Sequence, residues 1–178
     1  MMKHFYLQIP GWFSSDVLYT DVVRKAEEGA HFVEVGSYEG QSAAFMAVEI
    51  INSGKHIKFD CIDTWTHHNN IHDPDEAYNT FQNNMKPVEG VYNPIRMDSV
   101  EASKLYSDNS LDFVYIDADH SYESVKKDII AWLPKVKTGG ILAGHDYPMI
   151  SVRNAVHEIL REENISVNMC SWRLSKKG

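Results

Sequence analysis

Stretches with a strand pattern alternate with stretches with a helix pattern along most of this 178-residue chain. Short runs rich in β-branched and aromatic residues occupy positions 31–36, 57–63, 93–97, 111–119 and 139–147. Apolar residues at helical spacing fill positions 41–51, 121–133 and 151–163. Strands that alternate with helices in this way form parallel pairs joined by crossover connections. The alternation therefore predicts an α/β fold with a mostly parallel sheet, completed by one or two short strands within 165–174.

Acidic residues stand at the ends of the five predicted strands. They are Glu34, Asp63, Asp98, Asp117 with Asp119, and Asp146, the last preceded by His145. The carboxyl ends of parallel strands lie along one edge of the sheet, where α/β proteins bind their ligands. Any one of these acids could instead be a helix N-cap. Acids at five successive strand ends, however, indicate a ligand site along this edge.

The turn after the first strand, EVGSYEGQS, limits the choice of ligand. Gly36 and Gly40 let the backbone approach a ligand closely and adopt positive φ. A dinucleotide fingerprint would need glycines where the chain has Tyr38 and Gln41, and a pyrophosphate would meet Glu34, so NAD is disfavoured. Carboxylates accept hydrogen bonds from an ammonium group and from ribose hydroxyls. An adenosine ligand with a cationic tail, such as S-adenosylmethionine (SAM), therefore fits better.

Five sequence blocks follow one another after the N-terminal segment. They are E-x-G-x-x-x-G from Glu34, CIDTW around Asp63, MDSVE around Asp98, YIDADHSYESVKKDI from Tyr115, and LPKVKTGGILAGHDY at 133–147. In these blocks the chain resembles the class I SAM-dependent methyltransferases, and within them the small metal-dependent O-methyltransferases of the macrocin and catechol type. The resemblance implies a Rossmann-like, doubly wound, mostly parallel sheet sandwiched by helices, with a short C-terminal antiparallel element. We expect a single domain over 1–178, with 1–30 as an N-terminal cap segment and 66–86 as a lid-like insertion.

The same resemblance implies a set of cofactor-binding positions. The methionine end of SAM would lie against the first turn, through Glu34, Gly36, Ser37, Tyr38, Gly40, Gln41 and Ser42. Asp63 would hold the ribose hydroxyls, with Thr64 and Trp65 nearby. Asp98 and Ser99 would border the adenine, and Asp117 completes the set.

The ends of the fourth and fifth strands offer the groups for chemistry. Methyl transfer to a hydroxyl needs the acceptor oxygen in line with the methyl group, and a base or a metal that handles its proton or its charge. Asp117 and Asp146 are oxygen ligands suited to Mg²⁺, and His145 would complete the set or favour a softer divalent metal. The related enzymes carry an acid at the His145 position, so the identity of the metal, and metal use itself, stay open.

Four residues are candidates for the catalytic chemistry: Asp117, Asp119, His120 and His145. The resemblance to sugar-modifying methyltransferases implies Asp119 as the general base. His120 is a second candidate, because neutral imidazole accepts a proton near about pH 7. His120 could instead bond to the backbone at a helix start, and His145 could instead orient Asp146.

The segment 66–86 is longer than the ~2–6 residues of an ordinary loop between a strand and a helix. It contains His67, His68, His72, Asp73 and Asp75. These residues could form a second metal site, but their spacing matches no zinc motif. We therefore expect a lid that leads into a helix from Asp75.

Aromatic residues at two places in the chain are expected to bind the acceptor. The helix from Asp75 would bury Tyr78, Phe81 and Met85. The 66–86 segment, together with Tyr6, Trp12 and Phe13 from the N-terminal cap segment, would form much of the acceptor pocket. Trp132 and Trp172 are expected to pack in the core.

The charge and cysteine content restrict partners and location. The chain carries 17 Lys and Arg against 25 Asp and Glu, a formal charge of −8. This balance argues against a general nucleic-acid or anionic-membrane binder. Cys61 and Cys170 lie far apart, as suits a reducing compartment, and no run approaches the ~18 apolar residues of a membrane span. We expect a cytoplasmic protein with a small-molecule acceptor, and homo-oligomerisation stays open.

The leading functional interpretation is a SAM-dependent methyltransferase that acts on a hydroxyl of a sugar or another polar metabolite. Two alternatives use the same fold: an enzyme like the cephalosporin hydroxylases, and a non-catalytic SAM-binding module. Product analysis separates the methyltransferase from the hydroxylase-like enzyme. The DADH and GHDY motifs argue against the non-catalytic module, because a protein that only binds SAM has no use for a metal or a base beside the sulfonium.

Overall fold

The computed structural model describes residues 1–66 and 74–177, and within them one sheet has the strand order β3-β2-β1-β4-β5-β7-β6. The strands are β1 (His31–Val35), β2 (Lys58–Asp63), β3 (Asn93–Arg96), β4 (Leu111–Ile116), β5 (Val136–Gly144), β6 (Ile165–Asn168) and β7 (Ser171–Ser175). Strands β1 to β5 pair in parallel, and the antiparallel β6–β7 pair joins β5 through β7. This confirms the predicted doubly wound sheet and its C-terminal antiparallel element.

Helices cover both faces of the sheet. They are α1 (Asp16–Lys25), α2 (Gln41–Ser53), α3 (Pro74–Met85), α4 (Ser99–Ser103), α5 (Tyr122–Trp132) and α6 (Ile150–Leu160). Helices α1 to α3 pack with one set of strand side chains, and α4 to α6 pack with the other. None of the helices in the described ranges is long and apolar enough to cross a membrane.

The alternation of side chains along β1 decides where its one acid lies. Val33 and Val35 join the core cluster under α4 to α6, whereas Phe32 joins the cluster under α1 to α3. Glu34 lies between the two valines and faces the α1 side, where Tyr19 of α1 meets it. The acid at the end of β1 is therefore directed into the core.

The helix after the second strand begins one residue before the predicted start, at Pro74. Phe81 and Met85 are fully buried on its inner face, and Tyr78 is half-buried. His67, His68, His72 and Asp73 lie outside the described residues. Trp132 and Trp172 are buried in the core, as predicted.

Candidate active site

A cleft of about 830 Å³ runs along the carboxyl ends of β1 to β5. The predicted site residues in its wall are Gly36, Ser37, Tyr38, Gln41, Ser42, Asp63, Thr64, Asp98, Ser99, Asp117, Asp119, His120, His145 and Asp146. Glu34, Gly40 and Trp65 are not in the wall. The volume lies within the range of pockets for ligands of cofactor size, about 300–1,000 Å³.

Gly36 keeps the first turn open at the point where β1 and β4 end side by side. Its φ is +89°, and an added Cβ would collide with the carbonyl oxygen of Asp117. Its N–H donates to Ile62 at 2.7 Å, and the N–H of Asp117 donates to Val35 at 2.7 Å. Only glycine fits here, because a side chain would strain the backbone and push β4 away. The cradle therefore exposes backbone to a ligand, as a bound SAM would require.

Glu34 supports this turn from behind, away from the cleft. Its side chain is 1% exposed and accepts a hydrogen bond from the Tyr19 hydroxyl at 2.8 Å. Burial raises the pKa of Glu34 to about 7, against the hydrogen bond from Tyr19, which lowers it. Glu34 was expected to line the methionine end of the cofactor. In the structure its side chain points into the core instead, because side chains alternate between the two faces of a strand.

Trp65 and Gly40 also support the turn from outside the cleft. The Trp65 indole is fully buried against Phe81, and its Nε1–H donates to the carbonyl of Tyr38 at 2.8 Å. Gly40 is the N-cap of α2 with φ +95°, and an added Cβ would press on Met85 and Phe81. Both residues hold the loops that carry the cleft wall.

Asp63 lies in the cleft wall with its carboxylate fixed. One oxygen accepts from the N–H of Tyr38 at 2.9 Å, and the other accepts from the N–H of Trp65 at 2.8 Å. A carboxylate oxygen has two lone pairs, so each can accept a further bond. The carboxylate is therefore held ready for a pair of hydroxyl donors, as a ribose offers.

Asp98 and Ser99 begin α4 at the β3 end of the cleft. Oδ1 of Asp98 caps the helix by accepting from the N–H groups of Val100 and Glu101 at 2.9 and 3.1 Å. The Ser99 hydroxyl accepts from Nε1–H of Trp132 at 2.9 Å. Asp98 therefore acts as the N-cap of α4, which is the alternative role for an acid at a strand end.

Three side chains at the ends of β4 and β5 converge on one point. Ligand atoms of Asp117, His120 and Asp146 lie within 4.8 Å of one another. Nε2 of His120 lies 3.0 Å from Oδ2 of Asp146 and 3.5 Å from Oδ1 of Asp117. This buried nitrogen has hydrogen-bond geometry to no group of the described residues. Two carboxylates and an imidazole nitrogen that face one another at these distances fit a divalent metal.

The two carboxylates determine the charge of His120. They raise the pKa of His120 to about 10 against burial, which lowers it. Without a metal the imidazole is therefore protonated at neutral pH and is no base. A bound cation would take the place of that proton.

His145, the third ligand expected from the sequence, lies beside the cluster with both ring nitrogens engaged. Its Nε2 shares a hydrogen bond of 2.8 Å with the Ser14 hydroxyl. Its Nδ1 shares one of 3.1 Å with Oδ2 of Asp146, and lies 4.0 Å from Asp117. The ring therefore orients Asp146 and connects the cluster to the N-terminal segment, and His120 takes the position expected for His145.

Asp119, the base that the resemblance implies, supports the start of α5. Its Oδ1 accepts from the N–H of Ser121 at 2.7 Å, and its Oδ2 accepts from the Ser124 hydroxyl at 3.3 Å. The hydrogen bond from the Ser121 backbone lowers the pKa of Asp119. A carboxylate with a lowered pKa is a weak base, so this geometry does not favour the expected role.

The N-terminal segment forms part of the cleft wall through Gly11, Trp12 and Phe13. The N–H of Phe13 donates to Oε1 of Gln41 at 2.8 Å, and Nε2–H of Gln41 donates to the carbonyl of Ile9 at 2.9 Å. Trp12 is 78% exposed, and its ring lies 6.1 Å from that of Tyr38. The segment is thus tied to the first turn of α2 and presents an aromatic ring at the mouth of the cleft.

Tyr6 takes a different position from the one expected. It is outside the cleft wall and packs edge-on against Phe13 and Phe45. Nine further residues of the wall are not among the predicted site residues: Gly11, Val35, Ile62, Met97, Val100, Ala118, Ser124, Lys127 and Asp128. Asp128 could have been noticed as an acid on the apolar side of a helix, between Val125 and Ile129.

One comparison with known proteins shows a family. A family described as a methyltransferase domain matches residues 33–147, more than half of the chain. No curated protein sequence matches the chain significantly.

Solved structures with the same fold include three methyltransferases. A SAM-dependent O-methyltransferase from Thermotoga maritima has 12% identity and a TM-score of 0.68, with 95% of this chain and 67% of that chain covered. The TDP-rhamnose 3'-O-methyltransferase of calicheamicin biosynthesis has 15% identity and a TM-score of 0.65, with 90% and 76% covered. An rRNA methylase from Streptococcus thermophilus has 14% identity and a TM-score of 0.64, with 94% and 100% covered.

At these identities the solved structures show the fold, and the family match covers the blocks that carry the glycine turn, the acidic strand ends and the cluster at β4 and β5. The chain therefore belongs to the methyltransferase domain family, within the class I SAM-dependent methyltransferases.

Proposed function

We propose that the protein transfers a methyl group from SAM to a hydroxyl of a small polar acceptor, such as a sugar, with help from a divalent metal. The observation that carries this proposal is the cluster of Asp117, His120 and Asp146 in the same cleft as the Gly36 turn. A methyltransferase for a better nucleophile would not need two carboxylates and an imidazole at this place. An alcohol needs a base or a metal at this place, because its proton is held too tightly for transfer at neutral pH, and this cluster can provide either.

The cofactor would occupy the cleft along the strand ends. The open backbone at Gly36 admits the methionine end, and Asp63, fixed by two backbone N–H groups, accepts from the ribose hydroxyls. The adenine of the cofactor would then lie at the β3 side of the cleft, next to α4. This order brings the sulfonium to the β1 and β4 ends, beside Asp117.

Asp117, His120 and Asp146 would hold the metal, and His145 would fix Asp146. The metal would act as a Lewis acid that lowers the pKa of the acceptor hydroxyl, so that this hydroxyl would lose its proton to solvent water. His120 would give up its proton when it becomes a ligand. Asp119 accepts a hydrogen bond from the N–H of Ser121 at the start of α5. We therefore assign it to the stabilisation of that helix rather than to proton transfer.

The acceptor would enter at the mouth of the cleft between the N-terminal segment and the cluster. Trp12 and Tyr38 offer ring faces there, which suit the apolar face of a sugar or an aromatic ring. One structure with this fold belongs to a methyltransferase that acts on a TDP-sugar, which supports a sugar acceptor. Of the predicted 66–86 segment, Thr66 and residues 75–86 line no part of the cleft wall, so only residues 67–74 stay a predicted second part of this pocket.

RNA is the alternative acceptor that a similar structure suggests. The formal charge of −8 argues against it, since RNA binding is dominated by phosphate contacts to Lys and Arg. The hydroxylase-like and non-catalytic alternatives are tested by product formation.

The test is methyl transfer from SAM to a panel of sugar nucleotides, catechols and a ribosomal RNA fragment, followed by mass spectrometry of both products. We expect S-adenosylhomocysteine in equal amount to a methylated small molecule, with loss of turnover in EDTA and in Asp146→Ala. Methylated RNA with no methylated small molecule would support the alternative acceptor. An oxidised acceptor without S-adenosylhomocysteine would support the hydroxylase.

A further inference from the structure

A small cavity lies behind Asp117 and His120, on the side of the sheet that α5 and α6 cover. Its volume is about 10 Å³, close to the space that one water molecule needs. Val125 of α5 and Val152 of α6 form part of its wall. Asp117, His120 and His145 line both this cavity and the cleft. The cavity therefore adjoins the proposed metal ligands from inside the protein.

Trp172 of β7 brings an indole N–H group to this cavity. The residue is 1% exposed and lines the cavity. Its ring packs against Gly144 at the end of β5, since a Cβ added to Gly144 would lie 2.7 Å from Cε2 and 2.6 Å from Cζ2 of the ring. Nε1 is bonded to Cε2, so the N–H edge of the ring lies at this strand end, where the cavity is.

The indole N–H of Trp172 lacks a protein acceptor. Nε1 is buried and has no hydrogen-bond partner within the part of the chain that the structure describes. The N–H groups of the buried Trp65 and Trp132 are paired, with the carbonyl of Tyr38 and the hydroxyl of Ser99. A buried donor without an acceptor is costly, and such donors are commonly satisfied by ordered water. The N–H of Trp172 therefore points to a bound acceptor in the cavity.

Of the two carboxylates in the cluster, Asp117 is the less firmly held. Its Oδ1 lies 3.5 Å from Nε2 of His120 and 4.0 Å from Nδ1 of His145, beyond the length of about 2.7–3.2 Å of an ordinary hydrogen bond. Oδ2 of Asp146, in contrast, lies 3.0 and 3.1 Å from the same two rings. Carboxylates that bind a metal usually accept a further hydrogen bond that fixes their direction. For Asp117 such a bond can come from the cavity.

The occupant of the cavity has to accept a hydrogen bond from the indole and donate one to a carboxylate. A water molecule does both and has the right size. An anion could accept from the indole, but the carboxylates of Asp117 and Asp119 in the wall would repel it. A metal ion or an ammonium group offers no lone pair to the N–H. Water is therefore the ligand that the wall selects.

We propose that this cavity binds one water molecule, which accepts a hydrogen bond from the Trp172 indole and donates one to the Asp117 carboxylate, so that β7 positions a ligand of the metal. Trp172 is then a positioning residue, because it acts on the metal only through the water and Asp117. The part of this inference that concerns the metal rests on the proposed function, whereas the water itself does not.

The first test observes the indole protons by NMR spectroscopy of the ¹⁵N-labelled wild type. The chain has four tryptophans, and sequential assignment identifies the indole signal of each. We expect a nuclear Overhauser effect between the Trp172 indole proton and a long-lived water molecule. The indole protons of Trp65 and Trp132 should show none, because their acceptors are protein atoms. A Trp172 indole proton without this effect would overturn the inference.

The second test removes only the indole N–H. Benzothienylalanine carries a ring of the size of indole with sulfur in place of the N–H, so its incorporation at Trp172 keeps the packing and removes the donor. We expect the affinity for Mn²⁺, measured by titration calorimetry, to fall roughly ten- to a hundredfold. The same replacement at Trp132 is the matched control, because it removes a buried N–H that bonds to Ser99 away from the cluster. It should leave the affinity for Mn²⁺ unchanged, and thermal unfolding compares the stability of both variants.

The outcomes separate this inference from the proposed function. Binding of Mn²⁺ with wild-type affinity by the Trp172 variant would overturn the positioning role and leave the proposed function standing. An equal loss in the Trp132 variant would also overturn that role, because the loss would then come from a change in the core. Failure of the wild type to bind Mn²⁺ would overturn both the proposed metal and the role of Trp172 towards it.

Discussion

Nε2 of His120 lies 3.0 Å from Oδ2 of Asp146, at the point where the carboxylate of Asp117 also faces the ring at 3.5 Å. The carboxylates that surround the ring raise the pKa of His120 to about 10. Metal and proton therefore compete for one nitrogen, and this competition can be measured.

Metal binding is expected to release about one proton per ion near neutral pH, because His120 must lose its proton to become a ligand. The affinity for the metal should accordingly rise with pH until the pH reaches the pKa of His120. Titration of Mn²⁺ and Mg²⁺ in buffers of different ionisation enthalpy measures the release. His120→Ala should lose binding by at least about tenfold, and the matched variant His145→Gln should lose less. Binding without proton release would contradict the assignment of His120.

Asp119→Asn should keep most of the activity. The amide oxygen of asparagine can still accept from Ser121, so the start of α5 is preserved. Asp119→Ala should lower the melting temperature, since it removes that acceptor. Activity with an accepted substrate and thermal unfolding check both variants. A general base would instead lose about 10²–10⁴-fold in rate on the change to asparagine, and that loss would restore Asp119 as the base.

Glu34 should make the protein less stable as the pH rises. Its folded pKa of about 7 exceeds its unfolded value, so the folded state binds more protons between the two values and unfolding becomes easier with rising pH. Relative to Glu34→Gln, the wild type should lose about 3 kcal/mol of unfolding free energy between about pH 4.5 and pH 7. Urea unfolding of both proteins across this range measures the difference. A parallel pH dependence of the two would mean that Glu34 has an ordinary pKa.

Gly36→Ala should destabilise the protein more than Gly54→Ala does. Both glycines have positive φ, at 89° and 69°, but an added Cβ at Gly54 meets nothing within 4 Å. Gly54→Ala should cost about 1–2 kcal/mol from backbone strain alone. Gly36→Ala adds the collision with Asp117 and should cost about 3–5 kcal/mol and weaken S-adenosylhomocysteine binding. Equal losses would show that β4 can move away from the turn.

Trp12→Ala should weaken the binding of the acceptor and leave the binding of the cofactor unchanged. The exposed ring lies at the mouth of the cleft, so its loss should raise the KM for the acceptor roughly tenfold, the scale of one stacking contact. Leu7→Ala is the matched control, because Leu7 is 79% exposed and outside the cleft wall. Steady-state kinetics with an acceptor from the panel, and calorimetry with S-adenosylhomocysteine, separate the two effects. A change in cofactor affinity alone would place Trp12 elsewhere in the site.

The sheet could be predicted because its evidence is local. Strand runs such as 57–63 and 111–119 show β-branched composition and end on acids, and strand ends of a parallel sheet meet at one edge whatever the loops do. Helix α1 was not predicted, although Leu18, Tyr19, Val22 and Val23 recur at helical spacing and are buried on one face of it. Its place follows from the contacts that Ser14 and Ser15 make with distant residues, which periodicity does not reveal.

The position of the site could be predicted from the sequence, but the role of each residue within it could not. His120 and His145 are both near strand ends, and only the turn geometry decides which ring faces the carboxylates. At Asp146 the backbone adopts φ +54°, which brings its carboxylate to both rings at once. Glu34 shows the same limit, because its direction depends on which face of β1 packs under α1.

The most direct test of the central claim is methyl transfer to oxygen with and without the metal. The wild type, supplied with SAM, a divalent metal and the acceptor panel, should form an O-methyl product and an equal amount of S-adenosylhomocysteine, identified by mass spectrometry. Chelation with EDTA and the Asp146→Ala substitution should each reduce this turnover by about 10²-fold or more. Turnover that survives both treatments unchanged would contradict the account.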